Sequence, residues 1–354
     1  MGPYARSPKE SSADSASNDA DRQPGTVRQR PERRGRPRRA LRRVAIVVLA
    51  VLGLVLASTA VNLLLERYER ATIAPYGERM DIAGGAVNVY RSGGTGPPMV
   101  LLSGLGTAAP ALDFAPLIRE LPDFNVIVVE GFGYGYSDLT ASERTNQDIS
   151  TELHEVLTNL NIARPYLLAG HSIAGFYMLD YVNRYPSEVS AVIGIDPTVP
   201  KATEGPVELP LQGPGWLRML SVTGVARAVV AVAPGLAEPD GNAYTADERE
   251  RIRLMTSWNL GNQAVEDETA RIGNNASALR GVRYPDGLPV LAFVSGAGES
   301  EEPAKAATLE ELLKNVQRHE IVPLAGGHYL HWTQAKPMAE KIREFLAVTG
   351  RTIR

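Results

Sequence analysis

The chain has 354 residues, 44% of them hydrophobic and 22% charged, with a formal net charge of -3. That length has room for one large domain of about 280 residues and an extension, and the near-neutral total names no partner. With no cysteine present, disulfides, thiolate metal sites, a cysteine nucleophile and a lipid-modified cysteine anchor are all excluded.

The charge is unevenly placed. Residues 1–43 hold twelve Lys and Arg against five Asp and Glu, while the remainder holds 25 against 35. A basic arm therefore precedes an acidic domain. The arm is Ser, Asp, Pro, Gly and Arg with almost no large apolar side chain, so nothing repays the entropy of ordering it and disorder is expected. Nine arginines fall between Arg28 and Arg43. Such a cluster can bind nucleic acid, but its position directly before an apolar run fits a membrane better, and no nucleic-acid partner is expected.

Val44 to Leu65 is 22 residues without a charge, interrupted only by Ser58, Thr59 and Asn62. At about 1.5 Å of rise per residue the run crosses a bilayer core of roughly 30 Å. The arginines on its N-terminal side place the N-terminus in the cytoplasm and the domain outside. Ser58-Thr59-Ala60 would serve as a cleavage site and Arg42-Arg43 is a partial twin-arginine signal, which leaves a cleaved and secreted form as the alternative. A 43-residue leader is long for a signal peptide, so an uncleaved single-pass anchor is expected.

The globular part begins near residue 72. Gly77–Ile82 and Ala86–Tyr90 read as two strands about a Gly84-Gly85 turn. Pro98–Leu102 is a buried strand ending in Ser103-Gly104-Leu105-Gly106; helical spacing follows near Leu112–Leu121. Val126–Val129 ends in Glu130-Gly131-Phe132-Gly133-Tyr134-Gly135-Tyr136-Ser137, and an amphipathic helix spans Ile149–Leu160. Another strand stops at Ala169 and a further one, Ala191–Ile195, at Asp196-Pro197. Apolar runs without alternation, separated by helices, predict a mostly parallel sheet covered on both faces.

From 199 to 285 only helical windows appear, Trp216–Val222, Asp247–Trp258 and Ala264–Leu279, which predicts a helical insertion. The repeat resumes with the strand Pro289–Val294, a helix over Leu309–Arg318, the strand Ile321–Leu324 and a last helix over Met338–Val348. Between these last two elements lies Gly326-Gly327-His328-Tyr329-Leu330-His331.

Gly170-His171-Ser172-Ile173-Ala174-Gly175 stands between a strand and a helix and reads as a nucleophile elbow. A sharp turn there lifts the serine clear of the sheet, tolerates only small flanking residues, and aims N–H groups at the start of the helix toward a developing oxyanion. In an open parallel sheet, residues just beyond the carboxyl ends of the strands can converge. Serine, acid and histidine occur there in that chain order.

SGLG, EGFGYGYS, GHSIAG and GGH, in this order, resemble the α/β-hydrolase superfamily over roughly residues 77–350, in its branch with one catalytic domain and a helical cap. The resemblance implies an eight-stranded sheet with the cap inserted after the sixth strand. It implies Ser172 as nucleophile, His328 as general base and then acid, and an oxyanion hole from the N–H groups of Ile173 and Leu105. Ser103 stands where the family usually has histidine, and Ala174 replaces the usual glycine of the elbow.

Two carboxylates compete for the acid. Asp196 ends an apolar strand in Gly-Ile-Asp-Pro, the placement of a lipase branch of the family. Glu299, 29 residues before His328, has the commoner placement, although the family prefers aspartate there and its surroundings read as a solvated acidic loop. Asp196 is taken first, with Glu299 the alternative. Among the histidines His331 is the rival of His328; His154 and His319 are expected on the surface, and His171 as a packing residue of the elbow.

The alternate glycines of Glu130–Tyr136 lack the G-x-G-x-x-G spacing of a dinucleotide site and suit a pocket wall instead. No cluster has metal-ligand spacing, and neither cofactor nor metal is expected. Trp216, Leu217, Met219, Leu220, Met255 and Trp258 could line an apolar acyl or alcohol pocket, or simply hold the insertion to the core.

The expectation is a membrane-tethered serine esterase. Acyltransferase, amidase or peptidase, C–C hydrolase and perhydrolase share the same residues. A catalytically inactive ligand-binding surface protein is the alternative of another class.

Overall fold

The structure, a computed structural model, describes residues 36–200, 215–296 and 301–348. The chain divides into two units, Met1–Leu52 and Gly53–Arg354. Helix α1, Arg36–Thr72, crosses that division and is long and apolar enough to span a bilayer. It outruns the uncharged stretch because Glu66–Thr72 holds no glycine or proline, and Arg70 Nε pairs with Glu66 at 2.9 Å one turn earlier.

In the second unit, strands β1 (Glu78–Ile82) and β2 (Gly85–Arg91) form the expected hairpin, and β3 (Pro98–Leu102) follows. The single helix expected near Leu112–Leu121 is two short ones, α2 (Pro110–Asp113) and α3 (Ala115–Arg119). Pro116 lacks an N–H and its ring would meet the carbonyl of the preceding turn, which breaks the run at Phe114. Then come β4 (Asn125–Glu130), α4 (Asn146–Asn159), β5 (Tyr166–His171), α5 (Ala174–Arg184) and β6 (Val189–Ile195).

Between β6 and β7 the described residues are helical: α6 (Trp216–Val222), α7 (Val225–Val232), a 3-10 turn at Pro234–Leu236, α8 (Ala246–Asn259) and α9 (Gln263–Ala278). Three of these match the sequence windows; α7 was not foreseen. Strand β7 (Val290–Ser295), α10 (Glu301–Leu313), β8 (His319–Leu324), α11 (Leu330–Thr333) and α12 (Ala335–Val348) complete the fold. Helix α10 starts and stops earlier than its predicted span.

The eight strands lie in the order β1-β2-β4-β3-β5-β6-β7-β8, with β3 to β8 parallel and the hairpin pairing antiparallel through β2. Side chains alternate between two covered faces. Val100, Leu102 and Leu168 pack toward Val156, Leu179 and Val182 of α4 and α5. Met99, Leu101, Leu167 and Ile193 pack toward Phe114, Leu117, Ile342 and Phe345 of the opposite layer. With both faces buried, the strands can afford no polar alternation.

The sheet changes winding direction between β3 and β5, where Leu102 and Gly170 are register partners. This is the topological switch point, and the loops leaving these two strands open onto one crevice.

Candidate active site

Ser172 is the first of the two residues joining β5 to α5, with φ of 53°, a left-handed conformation that costs a non-glycine residue energy. Its backbone is pinned on several sides. Ser172 N–H donates to Ile195 O at 3.1 Å, while Ser172 O accepts from Gly175 N–H at 2.9 Å and Thr198 N–H at 2.8 Å. The corner needs small neighbours: a Cβ on Gly170 would fall 2.7 Å from Ala174 Cβ. Alanine at position 174 therefore fits only because position 170 is glycine.

His328 lies on the loop between β8 and α11. Its Nδ1 is 2.5 Å from Asp196 Oδ2 and its Nε2 is 2.8 Å from Ser172 Oγ. A carboxylate only accepts, so Nδ1 carries the proton and Nε2 presents a lone pair to the serine hydroxyl.

Asp196 follows β6 directly, with φ of 44°. Its Oδ1 accepts from Ser295 N–H at 2.9 Å and from Lys305 Nζ at 2.7 Å. Burial disfavours its charge, but the hydrogen bonds from His328, Lys305 and Ser295 outweigh that and bring its pKa down to about 2. Glu299 lies outside the described residues.

Ile173 and Leu105 flank the serine on two loops. Neither N–H has an acceptor among the described residues, as a pair of donors reserved for a ligand oxygen requires. The Leu105 loop is pressed against the elbow, since a Cβ on Gly104 would sit 2.6 Å from His171 Nδ1 and 3.3 Å from Ser172 Cβ.

The other histidines fall into supporting positions. His171 is fully buried and its Nε2 lies 3.0 Å from His328 O, fixing the histidine loop through the backbone. Burial, together with the neighbouring His331 and His328, pushes its pKa well below the usual value, which keeps the ring neutral. His331 is also buried, and it and Trp332 Nε1 each lie 2.8 Å from a different oxygen of Asp113, tying the loop down on α2. His154, expected on the surface, is partly buried against Glu188 at 3.2 Å and stacked on Tyr185.

The expected wall at Glu130–Tyr136 behaves differently at its two ends. Glu130 is fully buried and accepts from Tyr76 Oη at 2.5 Å and Asn88 Nδ2 at 2.8 Å, so it ties elements together away from the serine. Tyr134, by contrast, bridges Gly106 N–H at 3.3 Å and Glu268 at 2.8 Å, bracing the Leu105 loop from behind.

A cavity of about 220 Å³ runs beside the site, lined by Leu105, Gly106, Tyr329, Trp332, Leu236 and Ile252 among others. A larger one of about 750 Å³ reaches from Gly106 and Gly133 to Trp216 and Leu217. Of the apolar candidates in the insertion, Trp216 and Leu217 thus line a cavity. Met255 and Trp258 do not: they are buried against Tyr136 and Tyr244 and hold the insertion to the domain.

Lys305, Glu268 and Asp113 were not visible as site residues beforehand. Each acts on a partner more than 90 residues away, and the local sequence around each reads as an ordinary helix.

Comparison with known proteins agrees with this architecture. The α/β-hydrolase fold family pattern matches residues 97–235. The chain is 25% identical over 289 residues to the uncharacterized protein YbdG of Bacillus subtilis, covering 78% of this chain and 88% of that one. It is 27% identical over 182 residues to Lipase 3 of a Moraxella strain, a stretch covering 47% of this chain and 57% of the lipase. In structure it resembles Epoxide Hydrolase A of Mycobacterium thermoresistibile, with a TM-score of 0.58, 18% identity, 79% of this chain and all of that chain covered. By its sheet topology and these matches, the chain has the α/β-hydrolase fold, and residues 97–235 match that family's pattern.

Proposed function

We propose that the protein is a serine hydrolase that cleaves a carboxylic ester through an acyl-enzyme intermediate, with Ser172, His328 and Asp196 as its triad. The observation that carries this reading is the unbroken hydrogen-bonded line from Asp196 through His328 to Ser172 Oγ. His328 Nε2 takes the hydroxyl proton as Oγ attacks the ester carbonyl, and the N–H groups of Ile173 and Leu105 hold the oxyanion. The proton then passes to the departing alcohol. Water, deprotonated by the same Nε2, attacks the acyl group and releases the acid. Asp196 holds the tautomer and stabilises the imidazolium without taking the proton.

The likeness to a lipase supports ester cleavage. The likeness to an epoxide hydrolase is one of fold, and a serine at the elbow suits that reaction poorly. Attack of a hydroxyl on an epoxide would leave an ether with no carbonyl for water to attack, whereas an acyl-serine is open to hydrolysis.

The same proposal places α1 across a bilayer with the N-terminus cytoplasmic and the hydrolase domain outside, supported by the arginine cluster and the uncharged run.

Incubating the full chain in detergent with a fluorophosphonate probe should label the parent and leave Ser172→Ala unlabelled. An unlabelled parent, or equal labelling of both, would remove Ser172 as nucleophile.

A further inference from the structure

The contacts of α1 with the insertion fix a depth. Ser58 lies seven residues before Leu65, the end of the uncharged run. That separation is about 10 Å of helix. Ser58 Oγ donates to Thr223 O at 2.6 Å, and Asn62 Nδ2 donates to Ser221 O at 3.0 Å and Val222 O at 3.2 Å. The corner joining α6 to α7 therefore lies alongside the apolar run and not beyond its end. Gly224 permits this approach, since its φ is 80° and a Cβ there would already sit 3.1 Å from Asn62 Cβ. About two turns beyond Asn62 along α1, the contacts become ionic. Arg227 pairs with Glu69 at 2.6 Å, Trp258 Nε1 donates to Glu69 at 2.9 Å, and Arg70 lies over the Trp258 ring.

The two short helices are built inside out for a surface in water. Their charged residues are turned to polar partners in the protein: Arg218 donates to Trp258 O at 2.6 Å, and Arg227 is held by Glu69 and Asn62. Their apolar residues face outward, with Trp216 52%, Met219 66%, Val232 84% and Leu236 of the following turn 75% exposed. Contiguous exposed apolar surface of this kind marks a contact with another phase or partner.

We propose that α6, α7 and the following turn are a membrane-insertion element, seated in the outer leaflet of the bilayer that α1 spans. The occupant of the apolar face is lipid, because the hydrogen bonds at Ser58 and Asn62 hold this face level with a segment that itself requires hydrocarbon. Trp216 and Leu217 line the larger cavity and Leu236 the smaller, and both cavities reach the Gly106 loop. On this proposal an acyl ester dissolved in the membrane enters through these cavities toward the Leu105 loop, whose Gly104 packs against Ser172. This substrate route rests on the serine hydrolase proposed above; the insertion itself does not.

The chain lacks cysteine, so single probes can be placed cleanly. Full-length protein carrying an environment-sensitive fluorophore at Val232→Cys, reconstituted in single-copy phosphatidylcholine nanodiscs, should be quenched severalfold more by spin-labelled lipid than the same fluorophore at Lys336→Cys on α12. Equal quenching at the two sites overturns insertion. Shielding of position 232 that arises only with two copies per disc would assign the face to a second copy, and also overturns it.

For the route, the double variant Val229→Asp with Val232→Asp should lower turnover of a long-chain acyl ester in nanodiscs by about tenfold or more, since carboxylates are costly at that depth. Turnover of a short water-soluble ester should stay within about twofold of the parent, because neither residue lines the cavities. Parallel loss on both esters overturns the route. A parent inactive on both overturns the hydrolase reading, while the quenching result still decides insertion.

Discussion

Asp196 has to stay a carboxylate while buried, and the groups that keep it charged come from three separate elements. Replacing it by asparagine leaves the volume nearly unchanged but allows the wrong imidazole tautomer. Asp196→Asn should therefore lower kcat on a short ester by about 10⁴-fold with KM little changed. Its pKa falls from the ordinary 3.8 to about 2, so the charge stabilises the fold above 3.8 and that contribution is lost as pH drops toward 2. Thermal denaturation across this window should show the stability gap between parent and variant narrowing with acid; a constant gap would contradict the ionic role. Lys305 acts one step further out, through Asp196 Oδ1. Lys305→Met leaves the bonds from His328 and Ser295 in place and should cost about tenfold in kcat, roughly the worth of one charged hydrogen bond. It should also shift the acid limb of stability toward higher pH, which distinguishes loss of this contact from a general loosening of α10.

Among the elements, the two loops at the switch point carry the tightest tolerances. Gly104→Ala would drive a methyl group into the His171 ring and toward Ser172. The Leu105 N–H should be displaced from the oxyanion position, with kcat reduced about 10²- to 10³-fold, the usual worth of one such donor. A variant with parental kcat would mean that this loop does not donate. These strand-end loops were legible in the sequence because the constraint is local: a buried strand, a tight corner and small residues at fixed spacing. Helix α7 was not legible. Val-Ala-Arg-Ala-Val-Val-Ala-Val opens without a side-chain cap and is rich in β-branched residues, so no local signal distinguishes it, and its helical state coincides with packing on α8 and α1. The break at Phe114 was missed for the opposite reason, since an apolar period ran straight through a proline that local sterics forbid.

For the whole molecule, orientation is the property that follows most directly from charge. A C-terminal alkaline phosphatase fusion expressed in a bacterial host should be active, and exchanging the nine arginines of residues 28–43 for glutamine should weaken that bias. An inactive fusion of the unaltered chain would contradict the outward placement. Sequence alone determined the existence of the apolar span, the doubly covered parallel sheet and the elbow, because each is written in the periodicity or spacing of neighbouring residues. Among the described residues, only the tertiary structure brings Asp196 to His328 and His328 to Ser172. Asp196 and His328 are 132 residues apart, and what brings them to 2.5 Å is the adjacency of β6, β7 and β8, set by strand order and packing. The same holds for Lys305 on Asp196 and for the α6–α7 corner against Ser58, where two segments that read as ordinary short helices acquire their meaning from what they are packed beside.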